Sequence, residues 1–214
     1  MTLHPSSFSP RERLEECVVS LALQAQEKGI ELVSFTSPEV PERLRGDYTR
    51  LDQVLVNLVN NAIKFTERGH VIVRMSQLPS SGNRTGLRFE IEDTGIGISA
   101  EEKTQLFRPF TQANQTTTRR SGGLGLGLAI SREIVAAFQG EIEVESTLGQ
   151  GSTFWFTAFF ESEGDIPAEP PPTFRLQSTP RGQPPRGSRQ HRAGVDRRRR
   201  VRDRHRNRRA RASA

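Results

Sequence analysis

Asn57, Asn61 and Lys64 have the residue types and the spacing to hold a metal ion and phosphate groups. They recur at intervals of four and three residues, so a helix places them on one face, away from its apolar stripe. Asn carboxamide oxygens are hard, neutral ligands for a Mg²⁺ ion that bridges to phosphates, and Lys64 can meet the phosphate charge. The alternative is a solvated helix face, although two Asn are unfavourable in a helix interior.

A second candidate group is the acid-glycine run EDTGIG at residues 92–97, which follows a predicted strand. The Asp93 carboxylate can accept a hydrogen bond from an exocyclic amine, such as N6 of adenine. Gly95 and Gly97 let the backbone pass close to a flat ring. An ordinary Asp-Thr-Gly turn is the alternative, and the run in isolation favours it.

Glycines alternate in the sequence GGLGLGL at residues 122–128, immediately before a predicted helix. Free N–H groups and the positive dipole end at a helix N-terminus suit phosphates. The pattern is not the dinucleotide-binding fingerprint, because no strand leads into it and its spacing differs. A flexible glycine loop is the alternative.

Two further segments flank these motifs. Residues 108–123 are polar and without periodicity, which is typical of a lid or binding loop, and the FRPF sequence at 107–110 either anchors that lid or packs in the core. The GQGSTF sequence at residues 149–154 predicts a tight turn with a hydroxyl, for which a plain hairpin is the alternative.

Helices and strands that would position these motifs follow from apolar periodicity and capping residues. A turn-rich stretch precedes Asp47. In the last long helix, Ile130, Ile134 and Phe138 share one face. The predicted long helices are 9–29, 47–66 and about 125–139, and a short helix runs from the Ser99 capping box to about Phe107. The predicted strands are 30–35, 71–75, 87–91, 141–146 and 152–160, of which the last four form two hairpins.

Charge divides the 214-residue chain into two parts. Residues 1–164 contain 16 Lys and Arg against 21 Asp and Glu, a net charge of −5, whereas residues 165–214 contain 15 Arg and four acids, a net of +11. The second part is rich in Pro and Arg and too poor in apolar residues to fold. It is read as a disordered linker, a polyanion-binding segment or the frame-shifted end of a gene, and it gives no reason to expect specific nucleic-acid binding.

The cysteine content and the hydropathy of the chain indicate the cellular compartment to expect. Cys17 is the only cysteine, so an internal disulfide is excluded and a reducing environment is expected. No apolar run is long enough to span a bilayer, and the N-terminus lacks the pattern of a signal peptide. We therefore expect a soluble, cytoplasmic segment without membrane contact, although a parent protein could be membrane-anchored.

In combination and in this order, the motifs resemble those of one family. RLDQVLVNLVNNAIKFT at residues 50–66 resembles the N box of histidine kinases, EDTGIGIS at 92–99 the G1 box and LFRPF at 106–110 the F box. GGLGLGLAIS at 122–131 resembles the G2 box, and the turn at 149–153 the last glycine box. The match spans residues 8–160 and is to the C-terminal ATP-binding catalytic domain of a sensor histidine kinase, of hybrid type and truncated.

The resemblance implies an α+β fold, a two-layer sandwich in which three helices cover one face of a mixed sheet (the Bergerat fold). It implies a histidine-kinase-like ATP-binding domain at residues 1–164, followed by the tail at 165–214. The cofactors implied are ATP and Mg²⁺. An isolated domain of this type is expected to be monomeric.

The resemblance also implies residue roles. Asp93 would meet adenine N6, Gly95 and Gly97 would shape that pocket, Asn61 would ligate Mg²⁺ with the help of Asn57, and Lys64 would meet the phosphates. Leu124 stands where many members have Thr. The other residues that the resemblance assigns to the nucleotide are Phe65, Ile98, Phe110, Gly123, Leu124, Gly125, Leu126, Gly127, Leu128 and Thr153.

The resemblance finally implies transfer rather than hydrolysis. Related ATP hydrolases place a Glu where this chain has Asn57, and an amide cannot take a proton from an attacking water. None of the histidines at positions 4, 70, 191 and 205 has the surroundings of a phosphoacceptor. The expected partners are therefore a histidine-containing dimerisation domain and a response-regulator receiver domain. A non-catalytic ATP-binding regulatory module is the alternative, and an ATP hydrolase is a weaker one.

Overall fold

A mixed sheet forms one layer of the computed structural model, which describes residues 2–79, 83–108 and 126–163. In those ranges the sheet has seven strands in the order β1-β3-β7-β5-β4-β2, with β6 beside β7. Only the pairing of β2 with β4 is parallel. The strands are β1 Ser6–Phe8, β2 Ile30–Thr36, β3 Leu44–Gly46, β4 Gly69–Gln77, β5 Arg84–Asp93, β6 Ile142–Thr147 and β7 Gly151–Ser162.

Helices form the second layer and cover one face of this sheet. The long helices are α1 Pro10–Lys28, α2 Tyr48–Phe65 and α4 Gly127–Ala137, and α3 is the short helix Ala100–Lys103. Their ends carry the predicted caps: Ser9 accepts a hydrogen bond from the Glu12 N–H, Asp47 accepts one from the Arg50 N–H, and both bonds of the Ser99 capping box are present. The predicted two-layer fold is confirmed.

The core lies between the layers and follows from alternation in the strands. Leu87, Phe89 and Ile91 of β5 are fully buried, and their neighbours Arg88 and Glu90 are half-buried on the other face. The Phe89 ring stacks on Phe156 of β7 at 4.6 Å between ring centroids. Across the interlayer space, α2 contributes one buried apolar stripe, which comprises Leu51, Val54, Leu55, Leu58, Val59, Ala62 and Ile63.

Three predictions of local structure were wrong. The segment around Leu44 was expected to be a turn, but it contains a three-residue strand, and a second three-residue strand, which was not predicted, ends at Phe8; both are too short to show periodicity. Ile130 was expected to share the face of Ile134 and Phe138, yet it is 39% exposed; Ser131 lies on the buried face instead. The third long helix ends at Ala137 instead of about residue 139, and the short helix ends at Lys103 rather than about Phe107.

Several predictions fall outside the described residues: part of the turn at 80–83, most of the lid, and the tail that begins at residue 165. The domain boundary at residue 164 therefore stays a prediction. Within the described ranges, none of the helices combines the length and the apolar character needed to cross a membrane.

Leu55 tests the packing between the layers. Leu55 is fully buried, so we expect Leu55→Ala to lower the free energy of unfolding by about 2–5 kcal/mol, through lost transfer free energy and a residual cavity. Val19 on α1 is 74% exposed, and Val19→Ala should change the free energy of unfolding by no more than about 0.5 kcal/mol. Urea unfolding followed by circular dichroism measures both, and equal effects would contradict this assignment of the core.

Candidate functional site

The polar face of α2 lies against the start of α4. The Asn57 side-chain amide donates a hydrogen bond to the Ser131 hydroxyl at 2.9 Å, and the Asn61 amide nitrogen lies 3.5 Å from Asn57 Oδ1. Gly127 packs so closely that an added Cβ would lie 2.4 Å from Asn57 Oδ1. The structure thus brings Asn57, Asn61 and Gly127 together, and Ser131 fixes which way the Asn57 amide faces.

Asp93 ends β5 with its carboxylate enclosed between the layers. The residue is 6% exposed, and the carboxylate accepts hydrogen bonds from the backbone N–H groups of Gly95, at 2.8 Å, and of Ser152. Burial raises the pKa of the carboxyl group above its ordinary value, the two N–H groups oppose that shift, and the negative charge of Glu92 adds to it. An ionised carboxylate has about four lone-pair sites, so two N–H donors hold it in place and leave it able to accept another hydrogen bond.

The loop that follows Asp93 packs closely between the end of α2 and the end of β6. An added Cβ on Gly95 would lie 2.5 Å from the Phe65 carbonyl oxygen at the end of α2, and the Ile96 N–H donates to that same oxygen at 3.3 Å. Gly97 has φ +68°, and its Cβ would lie 2.1 Å from the Thr147 carbonyl oxygen. Only glycine fits either position, which explains the alternating glycines of this motif.

Ser146 in β6 ties this loop to the start of β7, a contact that the motifs did not predict. Its hydroxyl accepts a hydrogen bond from the Ile98 N–H at 2.8 Å, donates to the Gly151 carbonyl at 2.9 Å and lies 2.9 Å from the Ser152 hydroxyl. Lys103 of α3 donates to the Ser146 carbonyl at 3.1 Å. Three elements, β6, β7 and α3, therefore meet at the loop beside Asp93.

Thr153 is not brought to Asp93. Successive residues of β7 face opposite sides of the sheet, and Thr153 pairs with Glu92 on the face away from the helices. Ser152 pairs with Asp93, is 7% exposed and faces the helical layer. Strand alternation could have shown this, because Ser152 is in phase with the aromatic residues Phe154 and Phe156, which are buried in the core.

The remaining predicted residues border the same region where the structure describes them. Lys64 lies over the Phe65 ring, 5.1 Å from its centroid, and Phe65 is 38% exposed. Ile98 and Leu128 are partly buried against the core, and Leu126 is the N-cap residue of α4. Phe110, Gly123, Leu124 and Gly125 lie outside the described residues.

A cavity of about 210 Å³ lies elsewhere, at the far end of β7. Its lining includes Leu3, Arg45, Arg84 and Phe138 and none of the residues predicted to bind the nucleotide. The described residues that were predicted to bind the nucleotide lie around Asp93 and Asn57 instead, so that region is the better candidate for the functional site.

Comparisons with known proteins agree with this fold. Residues 46–162 match the family model described as histidine kinase-, DNA gyrase B- and HSP90-like ATPase. Sensor histidine kinase AruS of Pseudomonas aeruginosa is 47% identical over 149 residues, and signal transduction histidine-protein kinase BarA of Escherichia coli K12 is 38% identical over 173 residues. These alignments cover 70% and 81% of this chain, but the chain spans only 15% and 19% of those two relatives.

Two solved structures are similar as well. Full-length ShkA in complex with AMPPNP has a TM-score of 0.64 at 34% identity, over 76% of this chain and 32% of that one. A nucleotide-free form of the catalytic domain of histidine kinase ThkA has a TM-score of 0.57 at 30% identity, over 72% of this chain and 97% of that one. The chain therefore belongs to the histidine kinase-, DNA gyrase B- and HSP90-like ATPase family, in which it is the catalytic domain of a sensor histidine kinase.

Proposed function

We propose that this chain binds Mg·ATP and supplies the γ-phosphoryl group for phosphorylation of a histidine on a separate helical dimerisation domain. The bond between the γ-phosphorus and the bridging oxygen breaks, a bond from phosphorus to an imidazole nitrogen forms, and ADP leaves. From that histidine the phosphoryl group passes to an Asp of a response-regulator receiver domain. The observation that carries the proposal is the buried Asp93 carboxylate, fixed by two N–H groups and still able to accept a hydrogen bond.

The adenine end of the site is built around that carboxylate. Asp93 accepts from the N6 amine, and the narrow loop with Gly95 and Gly97 forms a wall on which a flat ring can lie. Ile98 adds an apolar contact. The Ser152 hydroxyl, on the Asp93 side of the sheet, takes the place that the sequence assigned to Thr153.

The phosphate end lies along α2 and the start of α4. Within the described ranges no three His, Cys, Asp or Glu side chains are grouped to hold a metal ion, so Mg²⁺ would be held by the amide oxygens of Asn61 and Asn57 together with nucleotide oxygens. Bound there, the ion neutralises phosphate charge. Ser131 bonds the Asn57 amide through its nitrogen, and the amide oxygen, which lies 3.5 Å from the Asn61 amide nitrogen, would act as a ligand.

Two features further favour phosphate at this end. Lys64 follows Asn61 on the same face of α2 and adds positive charge. As far as the structure describes it, the N-terminus of α4 has no side-chain cap, so its first N–H groups and the positive dipole end are suited to phosphate oxygens. The glycines at 123 and 125 are proposed to extend this phosphate contact.

Transfer is favoured over hydrolysis by Asn57. Its amide has no basic site that could take a proton from a water molecule, so we propose that it assists Mg²⁺ and does not activate a nucleophile. Rate acceleration then comes from positioning and charge neutralisation, as in other phosphoryl transfers. The second candidate is a regulatory module that binds ATP without catalysis; a hydrolase is disfavoured by the same residue. We also propose that the domain works in the cytoplasm, where ATP and a receiver domain meet.

Titration of Mg·ATP by calorimetry into the full chain and its Asp93→Ala variant tests the proposal. We expect micromolar-range binding to the parent and at least about tenfold weaker binding to the variant, because the adenine amine loses its charged acceptor. Glu90→Gln is the control, since Glu90 is on the face away from the helices, where it is paired with Arg88, and its loss should leave affinity within about twofold.

Absence of binding to a folded parent would contradict the proposal. Once binding is established, ATP labelled on its γ-phosphate is mixed with the chain and the histidine domain of a related kinase. Label on the histidine identifies the kinase module. Binding without transfer identifies the regulatory module, and release of free phosphate identifies a hydrolase.

Ser152→Ala and Thr153→Val, each of which removes only a hydroxyl group, distinguish the two faces of β7. Ser152→Ala should weaken ATP binding by about threefold to tenfold, because the lost hydroxyl joins the start of β7 to Ser146 beside the nucleotide loop. Thr153→Val should leave affinity within about twofold, because Thr153 faces away from the site. The same calorimetric titration measures both, and the reverse order of effects would restore Thr153 as a nucleotide-binding residue.

A further inference from the structure

Lys28, the last residue of α1, contacts three backbone carbonyls at the end of α2. Its ammonium nitrogen donates to the carbonyl oxygens of Ile63 at 2.6 Å, Lys64 at 2.9 Å and Thr66 at 2.9 Å. A lysine ammonium has three N–H donors, so these three bonds use its whole donor capacity. The amine lies where the last carbonyls of a helix and its negative dipole end favour a cation.

The end of α2 depends on this contact because it lacks the usual cap. A helix leaves its last four carbonyls without helical partners, and a left-handed glycine commonly provides for them. Here the residue after the helix is Thr66, in an extended conformation with φ −93° and ψ 123°. Its N–H and its hydroxyl both bond the Ala62 carbonyl, whereas the Phe65 carbonyl accepts from the Ile96 N–H. The remaining carbonyls, from residues 63, 64 and 66, bond Lys28.

The same turn of α2 forms a wall of the proposed nucleotide site. Asn61 and Lys64 lie on it, and the Phe65 carbonyl sets the position of Gly95 and Ile96 in the loop that follows Asp93. A shift of this turn would move the proposed phosphate contacts and the loop beside the adenine contact relative to each other. Preorganised binding groups bind more tightly than mobile ones, so the order of this turn contributes directly to affinity.

We propose that Lys28 is a positioning residue for nucleotide binding: it clamps the last turn of α2 and, through the Phe65 carbonyl, the loop at residues 94–98. The proposal rests on the proposed ATP function for its effect on affinity, but the clamp itself acts in the chain without nucleotide. Lys28 lies outside all the nucleotide motifs and 35 positions before Ile63.

Other contacts keep α1 against α2 without Lys28. Gln24 donates to Asn60 at 2.9 Å, Arg13 lies 3.7 Å from Asp52, and Leu14 and Leu21 are buried. Loss of the Lys28 amine should therefore loosen the end of α2 and leave the two helices packed. This separates a positioning role from a general contribution to folding.

Lys28→Met in the full chain, which keeps most of the side-chain length but has no donor, is the test. We expect Mg·ATP to bind about tenfold more weakly, as measured by calorimetry, because three charge-assisted hydrogen bonds that order the site are lost. In the absence of nucleotide, the Ile96 amide should exchange its hydrogen faster, since its acceptor on Phe65 becomes mobile. Lys28→Arg, which retains donors and charge, should recover part of both effects.

Gln24→Met is the matched control: it removes a polar contact between α1 and α2 that does not reach the end of α2. It should leave ATP affinity within about twofold and Ile96 exchange unchanged. Thermal unfolding checks that each variant is folded, and Lys28→Gln, which keeps one amide donor group, replaces Lys28→Met if the latter unfolds.

Parent-like affinity and parent-like Ile96 exchange in Lys28→Met would overturn the proposal, as would equal effects of Gln24→Met. A parent chain that does not bind ATP would refute the proposed function instead. In that case Ile96 exchange without nucleotide still decides whether Lys28 orders the loop.

Discussion

The buried carboxylate of Asp93 constrains the arrangement of the elements around it. A charge taken out of water must be met by donors, and here the N–H groups of Gly95 and Ser152 meet it from two different segments. Gly95 can reach the carboxylate only because the loop turns back against the end of α2, where a side chain would collide with the Phe65 carbonyl. Ser152 can reach it only because β7 lies next to β5 in this register. The position of one carboxylate thus links the sheet, the loop and the helix.

α2 contributes one face to the core and the opposite face to the proposed nucleotide site. The apolar stripe is buried against the sheet, which fixes the rotation of the helix about its axis. That rotation turns Asn57 towards the start of α4, where Ser131 orients its amide, and brings Asn61 beside Asn57. Lys28, through its hydrogen bonds to three carbonyls, holds the last turn of the helix in place. A rigid polar face suits a domain whose proposed chemistry is to position a phosphoryl group and neutralise its charge.

Sequence patterns predicted those parts of the structure that depend on local periodicity. The face shared by Asn57 and Asn61 follows from helical spacing, and the two hairpins follow from alternation and glycine turns. Strands β1 and β3 have three residues each and are held by pairing partners far away in the chain, so no local pattern reveals them. The resemblance assigned Thr153 to the nucleotide, whereas strand alternation, available from the sequence, puts Ser152 and not Thr153 on the face of Asp93. Lys28 could not be found, because an exposed lysine shows no sign in the sequence of the carbonyls that it meets.

The central claim is that Asp93 recognises the N6 amine of adenine, and the most direct measurement compares Mg·ATP with Mg·ITP, whose base has a carbonyl oxygen in place of that amine. For the parent chain we predict about tenfold or greater preference for ATP by calorimetric titration, because the oxygen would oppose a buried carboxylate. In Asp93→Asn this preference should shrink, since an amide can donate to the carbonyl. Equal affinity of the parent for both nucleotides would contradict the account and assign Asp93 to the structure of the loop alone.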